Sequence, residues 1–390
     1  MLIVLSHFLN LHHGIGKAAK EDEEKDSLEN QVIRRVGDLL YNIFDNKFGA
    51  FKQGIESKYL PHISQLKKAD PMKLPKIQEF NKSVKTFFHS STLVQLQNQN
   101  NPLAEVSHIR KVSRLGLGGS NLTNVSPSTR DIDPSYYGRY CSVETPEGQK
   151  IGLIRSLTLN AKIDEHGQVL APYYLVEQGK VTPKITYLTA GEEPENYIAH
   201  CSLKINENNL IEESMVWARH QRKFVLVPKE KINFIDTSFY HLNSINSSSI
   251  PFFQHNDSVR MLTASNMQKQ AVILLKGEAP LVASGIENYL LGNASLTVKS
   301  DSAGIVKYVD SEKIIISPEK TAQQKKDSYP NQEEYPISQF LITNTNNLLT
   351  SVPLVKEGEK VEKGQIIACG NYHDQQELVL GHNLRVAFMC

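Results

Sequence analysis

Between residues 86 and 160 the apolar runs are short, and NNP, GLGGSN, SPS and TPEG cut them apart. Each interruption is a turn or loop signal, so this stretch is expected to fold as a compact body carrying exposed loops. Within it, CSVETPEGQKIGLIRSL (residues 141–157) places one Pro, two Gly and four charged side chains around a short apolar run. Pro fixes φ and Gly opens conformations closed to other residues, which predicts a stiff, charged corner rather than a plain strand or helix.

The flanking chain reads differently. Residues 1–25 form a heterogeneous leader ending in KEDEEKD, expected to be a solvated or disordered extension. From Asp26 to about Leu60, Val32, Val36, Leu39, Ile43 and Phe44 recur at three- and four-residue steps, predicting an amphipathic helix with Arg34, Arg35 and Lys47 on its solvated face. Residues 160–250 read as mostly β, with LTLNAKID, VLAPYYLVE, KVTPKITYLT and KFVLVPK as strands and EHGQ as a turn. A second helix is expected over 256–276 with Asn or Asp as its N-cap. SAGIVKYVDSEKIIISPEK reads as a hairpin, TAQQKKDSYPNQEEYP as a loose loop, and SVPLVKEGEKVEKGQIIACG as a strand, tight turn and strand, before an apolar terminal run in ELVLGHNLRVAFMC. No fixed-period repeat is visible, which argues against solenoids and propellers. The pattern predicts an α+β fold of several domains: a leader over 1–25, a helical region over 26–85, a loop-bearing body over 86–160, a β-rich module over 161–250, and a final domain over 251–390.

Composition narrows the function classes. The 390 residues hold 43 Lys plus Arg against 42 Asp plus Glu, so no net field announces a polyanionic partner, although local clustering can hide under a balanced sum. Four cysteines without a CxxC pair argue against zinc sites and a disulfide framework and favour a reducing compartment. The apolar start lacks a basic n-region and a membrane-length run, so neither an export signal nor a membrane span is expected.

Candidate chemistry is sparse. Between His108 and Arg155 stand seven basic residues (Arg110, Lys111, Arg114, Arg130, Arg139, Lys150, Arg155) against four acidic ones (Asp131, Asp133, Glu144, Glu147), beside Gly-rich loops that let backbone approach a phosphate chain. Surface charge explains that excess equally well. GLGGSN matches neither GxGxxG nor GxxxxGK[ST], and a flexible turn is the simpler reading. His108 has no paired nucleophile motif and reads as a structural hydrogen-bonding group. Neither HExxH nor a DxD run occurs, so no metal is expected on this chain. In the 256–276 helix, Asn266, Lys269 and Gln270 fall at i, i+3 and i+4 with Arg260 near the N-terminal end, a set suited to phosphate and sugar contacts or to a plain solvated face.

Read in order, LVQLQNQNNPLAEVSHIRKVSRLGLGG and RDIDPSYYGRYCSVETPEGQKIGLIRSL closely resemble the fork region of the beta subunit of bacterial-type, plastid-encoded, multisubunit DNA-directed RNA polymerase. DSLENQVIRRVGDLL resembles the segment before it, and IPFFQHNDSVRMLTASNMQKQAV the start of the hybrid-binding double-psi-barrel region. VPLVKEGEKVEKGQIIACG with GHNLRVAFM resembles the continuation of that region, in the same order. Four separated motifs in family order cover most of residues 26–389.

The resemblance implies residue roles. Arg260 corresponds to an arginine near the triphosphate of the incoming nucleotide, Gln95 and Gln270 to glutamines on the nascent RNA backbone, and Lys269 would add positive charge beside them. Lys111, Glu147 and Lys150 join this RNA- and substrate-facing set, Lys150 replacing an amide. Leu93, Gln95, Leu96, Asn98, His108, Lys111, Ser113, Leu115, Pro146 and Ile154 match the rifamycin pocket. Here Leu96 replaces an aromatic residue, Asn98 an acidic one, Ala104 a Ser and Lys111 an Arg, and SNLTNVSPS lacks the arginines of the bacterial loop. The family relation implies Mg²⁺ held by a beta-prime partner and none by this chain. It further implies alpha subunits, a sigma-like factor, the remaining beta-subunit pieces, DNA template and nascent RNA as partners. The abrupt apolar terminal run and an implied wealth of Asn, Lys and Ile codons suggest one piece of a split subunit in a plastid stroma, with a bacterial cytoplasm as the other location. The competing reading is a stand-alone nucleic-acid-binding or regulatory protein assembled from polymerase segments.

Overall fold

The structure, a computed structural model, describes residues 2–13, 15, 26–59, 78–116, 118–318, 332–374 and 377–389. In chain order the helices are α1 (Leu2–His12), α2 (Val36–Tyr59), α3 (Gln78–Ser90), α4 (Pro102–Ile109), α5 (Ile245–Ser248), α6 (Ser258–Gln270) and α7 (Glu287–Gly292). The strands begin with the pair β1 (Lys111–Ser113) and β2 (Ile154–Ser156), followed by β3 (Lys162–Ile163), β4 (Val169–Glu177), β5 (Lys180–Leu188), β6 (Ile198–Ala199), β7 (Met215–His220), β8 (Lys223–Pro228) and β9 (Phe234–Asp236). Later come β10 (Val298–Lys299), β11 (Gly304–Val309), β12 (Lys313–Pro318), β13 (Glu333–Pro336), β14 (Leu341–Ile342), β15 (Leu348–Leu349), β16 (Ser351–Pro353), β17 (Lys360–Val361) and β18 (Ile366–Gly370). Helices and mostly antiparallel sheets thus occupy separate stretches, the α+β architecture that the sequence pattern predicts.

The chain divides into two units. The first comprises Met1–Gln95, Leu115–Arg139 and Ala161–Thr237, and the second Leu96–Arg114, Tyr140–Asn160 and Ser238–Cys390.

In the first unit, β4 is the hub of the sheet, pairing β3, β5 and β9 antiparallel, while β6 joins β9 in parallel and leads on to β7 and β8. Arg139 is fully buried: Nε donates to Val169 O (2.8 Å), Nη2 to Leu188 O (2.8 Å), and Nη1 lies 2.8 Å from Glu193 Oε1. It therefore ties the strand ends together rather than facing a ligand. At the β3–β4 turn, Asp164 Oδ1 accepts from the backbone of His166 and Gln168, and Gly167 closes the turn at φ +84°. Gly167 O accepts from Ile33 N (2.7 Å), and a Cβ at this position would stand 2.4 Å from Ile33 O. Gly167→Ala is therefore expected to destabilise this unit by about 1 kcal/mol or more; urea unfolding measures it, and an unchanged midpoint would contradict the assignment.

The second unit has two apolar centres. One gathers Leu103, Ile245, Leu290, Leu291, Cys369 and Tyr372 between helices and a short sheet; burial pushes the Cys369 thiol up to about 12. The other packs Val306, Ile314, Ile316, Tyr335, Val361 and Ile367 around the β13–β12–β11–β17 sheet.

Several elements differ from the sequence expectation. The first long helix starts at Val36, and residues 31–35 carry no regular secondary structure. Arg35 there, still partly open to solvent, donates to the carbonyls of Asp164 and Glu165. The apolar stripe of α2 is only partly covered, since Val36 and Phe44 stay exposed while Phe44 meets Phe80 edge-on at 5.3 Å. Residues 2–12 of the leader are helical, whereas 16–25 lie outside the described residues. Residues 321–331 of the expected loose loop also lie outside them, but Glu333–Pro336 is strand β13, paired with β12. In SVPLVKEGEKVEKGQIIACG, β16 pairs β18, whereas the intervening β17 joins β11 in the other sheet, so the segment bridges two sheets instead of forming one hairpin. Residues 382–389 form no strand, and Leu384, Val386 and Phe388 are exposed. No described helix is long and apolar enough to cross a membrane.

Candidate functional site

In the second unit the ETPEG corner is organised from beneath by Glu144, only 2% exposed. Its carboxylate accepts from Lys269 Nζ (2.9 Å), Asn246 Nδ2 (2.8 Å), Ser107 Oγ (3.4 Å) and, closest of all, Ser244 Oγ. Burial alone would raise the pKa of this acid; the Lys269 ammonium and the hydrogen bonds from Ser244, Lys269 and Asn246 overcome it and hold the carboxyl below its ordinary value. Above Glu144, Thr145 Oγ1 donates to Ile154 O (3.1 Å) and accepts from Gly152 N (2.9 Å), closing the loop on itself. Gly148 takes φ +81°, which a β-carbon would resist, and starts the helical turn Gly148–Lys150. The corner is thus fixed at its base and carries Glu147 and Lys150 exposed at its crest.

Helix α6 is anchored at both ends. Asp257 caps its start, accepting from the backbone of Val259 and Arg260. At its end, Asn101 Nδ2 donates to Gln268 O (2.9 Å) and Ala271 O (2.8 Å), while Asn101 Oδ1 accepts from Ala104 N and caps α4. One buried amide therefore couples two helix termini that would otherwise carry unsatisfied backbone groups. Met261 and Ser265 face inward, whereas Arg260, Met267 and Gln270 are exposed.

The residues singled out from sequence are distributed unevenly. Lys269 does not share the open face of Gln270: its side chain is 13% exposed and its charge is spent on Glu144. Lys111 lies within electrostatic reach of both, and its pKa is lowered by desolvation and by Lys269, with Glu144 opposing. His108 Nδ1 accepts from Asn98 N (3.1 Å), a structural bond, and burial followed by Lys111 depresses its pKa. Ser113 and Ile154 are cross-strand partners in the β1–β2 pair, and Leu96 is exposed while Pro146 is half-buried. Leu93, Gln95 and Leu115 belong to the first unit, where Leu93 fills the space beside Gly116. Of the seven basic residues between 108 and 155, Arg139 and Arg155 are buried and Arg110 donates to the carbonyls of Thr158 and Leu159, so the apparent excess of charge is largely structural. Glu144, Asn101, Ser244 and Asn246 were not legible as site residues, because their partners are remote in sequence. Among the described residues no group of three or more His, Cys, Asp and Glu side chains could hold a metal ion.

Comparison with known proteins agrees with this architecture. The family descriptions that match are RNA polymerase Rpb2, domain 3, over residues 95–163; RNA polymerase beta subunit external 1 domain, over 173–238; and RNA polymerase Rpb2, domain 6, over 299–390. The DNA-directed RNA polymerase subunit beta of Ehrlichia canis (strain Jake) is 39% identical over 371 residues, 94% of this chain and 26% of the relative. That of Phytoplasma australiense is 38% identical over 389 residues, 99% of this chain and 30% of the relative. That of Kosmotoga olearia is 39% identical over 370 residues, 94% of this chain and 32% of the relative. The chain therefore spans roughly a quarter to a third of the length of these curated relatives. Three domains of one subunit, matched in order, make this chain a segment of the RNA polymerase beta-subunit family.

Proposed function

We propose that the chain is part of the catalytic core of DNA-directed RNA polymerase, lining the RNA–DNA hybrid channel and the nucleotide site during template-directed RNA synthesis, and that it is inactive alone. The observation that carries this reading is the pairing of a rigid ETPEG corner with a doubly anchored helix whose exposed stripe holds Arg260 and Gln270. Phosphoryl transfer is mostly positioning and charge stabilisation, and fixed donors on locked elements suit that work. In this reading the Arg260 guanidinium faces the triphosphate, Gln95 and Gln270 donate to the RNA backbone, and Lys111, Glu147 and Lys150 set the charge around it. Lys269 acts through Glu144 as a positioning residue. The Mg²⁺ belongs to a beta-prime partner, and alpha subunits, a sigma-like factor and further beta-subunit pieces complete the assembly.

The finer reading is one polypeptide of a split beta subunit in a plastid stroma. The family resemblance and the Asn-, Lys- and Ile-rich composition support it, while the curated relatives named are bacterial. Mass analysis of the complex purified through this chain is the test: beta-prime and alpha chains with separate beta pieces are expected, and a contiguous full-length beta chain would overturn the split.

Loss of a planar guanidinium at Lys111, of a carboxylate charge at Asn98 and of a hydroxyl at Ala104 removes specific drug contacts. Inhibition of the assembled enzyme by a rifamycin is expected to weaken by about tenfold or more, one lost contact being worth about 1–3 kcal/mol. Tight inhibition at ordinary drug levels in an RNA-synthesis assay would contradict it.

A further inference from the structure

Within the first unit, the β7–β8 hairpin carries an apolar face that the polymerase reading does not use. The register Met215↔Pro228, Trp217↔Leu226 and Arg219↔Phe224 puts these side chains on one face, and Val216, Ala218 and Val227 on the other. The second set is buried in the core of the module. On the first face Trp217 is 63% exposed and Phe224 74%, with Met215 and Leu226 also open. Isolated exposed apolar residues are ordinary, but four together, two of them aromatic, mark an interaction surface.

The backbone gives this surface a direction. β8 ends the strand order of its sheet, so one edge has no strand partner among the described residues. The two-residue turn Gln221–Arg222, both at positive φ, makes His220–Lys223 the closing hydrogen-bonded pair. By alternation, Lys223, Val225 and Val227 bond to β7, whereas Phe224 and Leu226 turn their N–H and C=O groups outward. Pro228 ends this row because it has no N–H to offer.

Beside the hairpin tip lies a cavity of about 300 Å³ whose wall includes Pro194, Arg219, His220, Arg222, Lys223 and Phe224. Its one carboxylate, Glu193, is paired with Arg139, and Arg219 is paired with Asp236. Arg222 donates to Ser27 Oγ, and neither it nor Lys223 pairs with a carboxylate among the described residues. At the far end of β8, Glu212, Glu213 and Glu230 offset Lys229 and Lys231, so unpaired positive charge is concentrated at the tip.

We propose that β8 is a docking edge for an extended peptide segment of a partner protein, which adds a strand along Phe224 and Leu226, lays apolar side chains over Trp217 and places an acidic residue beside Arg222 and Lys223. Strand addition uses main-chain hydrogen bonds for affinity and alternate side-chain contacts for specificity. A single-stranded nucleic acid would use the rings but not the outward N–H and C=O row.

Trp217 is the only tryptophan of the chain, so its emission reports on this face directly. The full chain is titrated with short synthetic peptides in which Val or Ile alternates with polar residues and one end is Asp- and Glu-rich, against counterparts with Lys in place of the acids. A saturable blue shift with the acidic peptide alone is expected. Leu226→Pro removes an outward donor while leaving the bonds between β7 and β8 in place, and is expected to weaken binding about tenfold or more with unchanged circular dichroism. The double variant Arg222→Glu/Lys223→Glu is expected to reverse the preference toward the Lys peptide. No saturable shift, equal response to both peptides, undiminished binding by a folded Leu226→Pro chain, response only to single-stranded RNA, or sedimentation showing a dimer with Trp217 already shielded would each overturn the proposal.

Discussion

Replacing Lys269 with Met is expected to destabilise the second unit by about 3–5 kcal/mol, because it leaves the Glu144 carboxylate buried without its counter-charge. The sign of the pH dependence should also invert. In the unaltered chain the Glu144 pKa lies below its usual value of 4.5, so the stabilisation is complete above that pH and is lost as pH falls through the lower folded value. Without Lys269, burial dominates and raises the pKa, so acidification from neutral pH toward 4.5 should relieve the uncompensated charge and increase stability. Glu144→Gln is expected to be costly as well, since Lys269 then loses its partner. The double variant Glu144→Gln/Lys269→Met should cost less than the sum, because the two side chains act as a pair. Urea titrations of the four proteins across pH 4–7, a range chosen to bracket roughly the carboxylate region, measure all of this; parallel pH profiles for the unaltered and Met proteins would contradict it.

Arg260→Ala is expected to slow nucleotide addition by the assembled enzyme about 10²–10³-fold, the typical cost of removing one donor that stabilises developing charge. Its side chain is exposed, and only its backbone N–H takes part in the Asp257 cap, so α6 and subunit association should persist. Single-nucleotide extension of a primed template by the reconstituted complex gives the rate, and gel filtration checks assembly. Unchanged elongation would remove Arg260 from the triphosphate role.

The parts of the fold that were legible are those specified locally. VLAPYYLVE and KVTPKITYLT alternate about a short turn and became β4 and β5, and SAGIVKYVDSEKIIISPEK became β11 and β12. Asp257 announced the start of α6, although the helix ends at Gln270, where Asn101, distant in sequence, donates to the carbonyls of Gln268 and Ala271. α4 was hidden in NNP: Asn101 is its N-cap and Pro102 its first residue, a start signal that also reads as a loop. Glu333–Pro336 lacked aliphatic residues yet pairs with β12, since backbone pairing and Tyr335 packing suffice at an edge. Local pattern placed Arg260 and Gln270 on a helix, where both stand exposed, but did not display the network beneath the corner. Glu144 and Lys269 are 125 residues apart and Glu144 and Ser107 37 apart, so no window of sequence displays the network they form. Periodicity placed Lys269 beside Gln270, and only a buried carboxylate from elsewhere in the unit draws it inward.

RNA extension on a primed template–RNA hybrid, measured side by side for the purified chain and for the complex isolated through it, decides whether this chain works only among companions. Template-directed extension is expected from the complex, lost when the companion chains are stripped away, and none from the chain alone. Extension by the isolated chain, or a complex without other polymerase subunits that still copies the template, would contradict it.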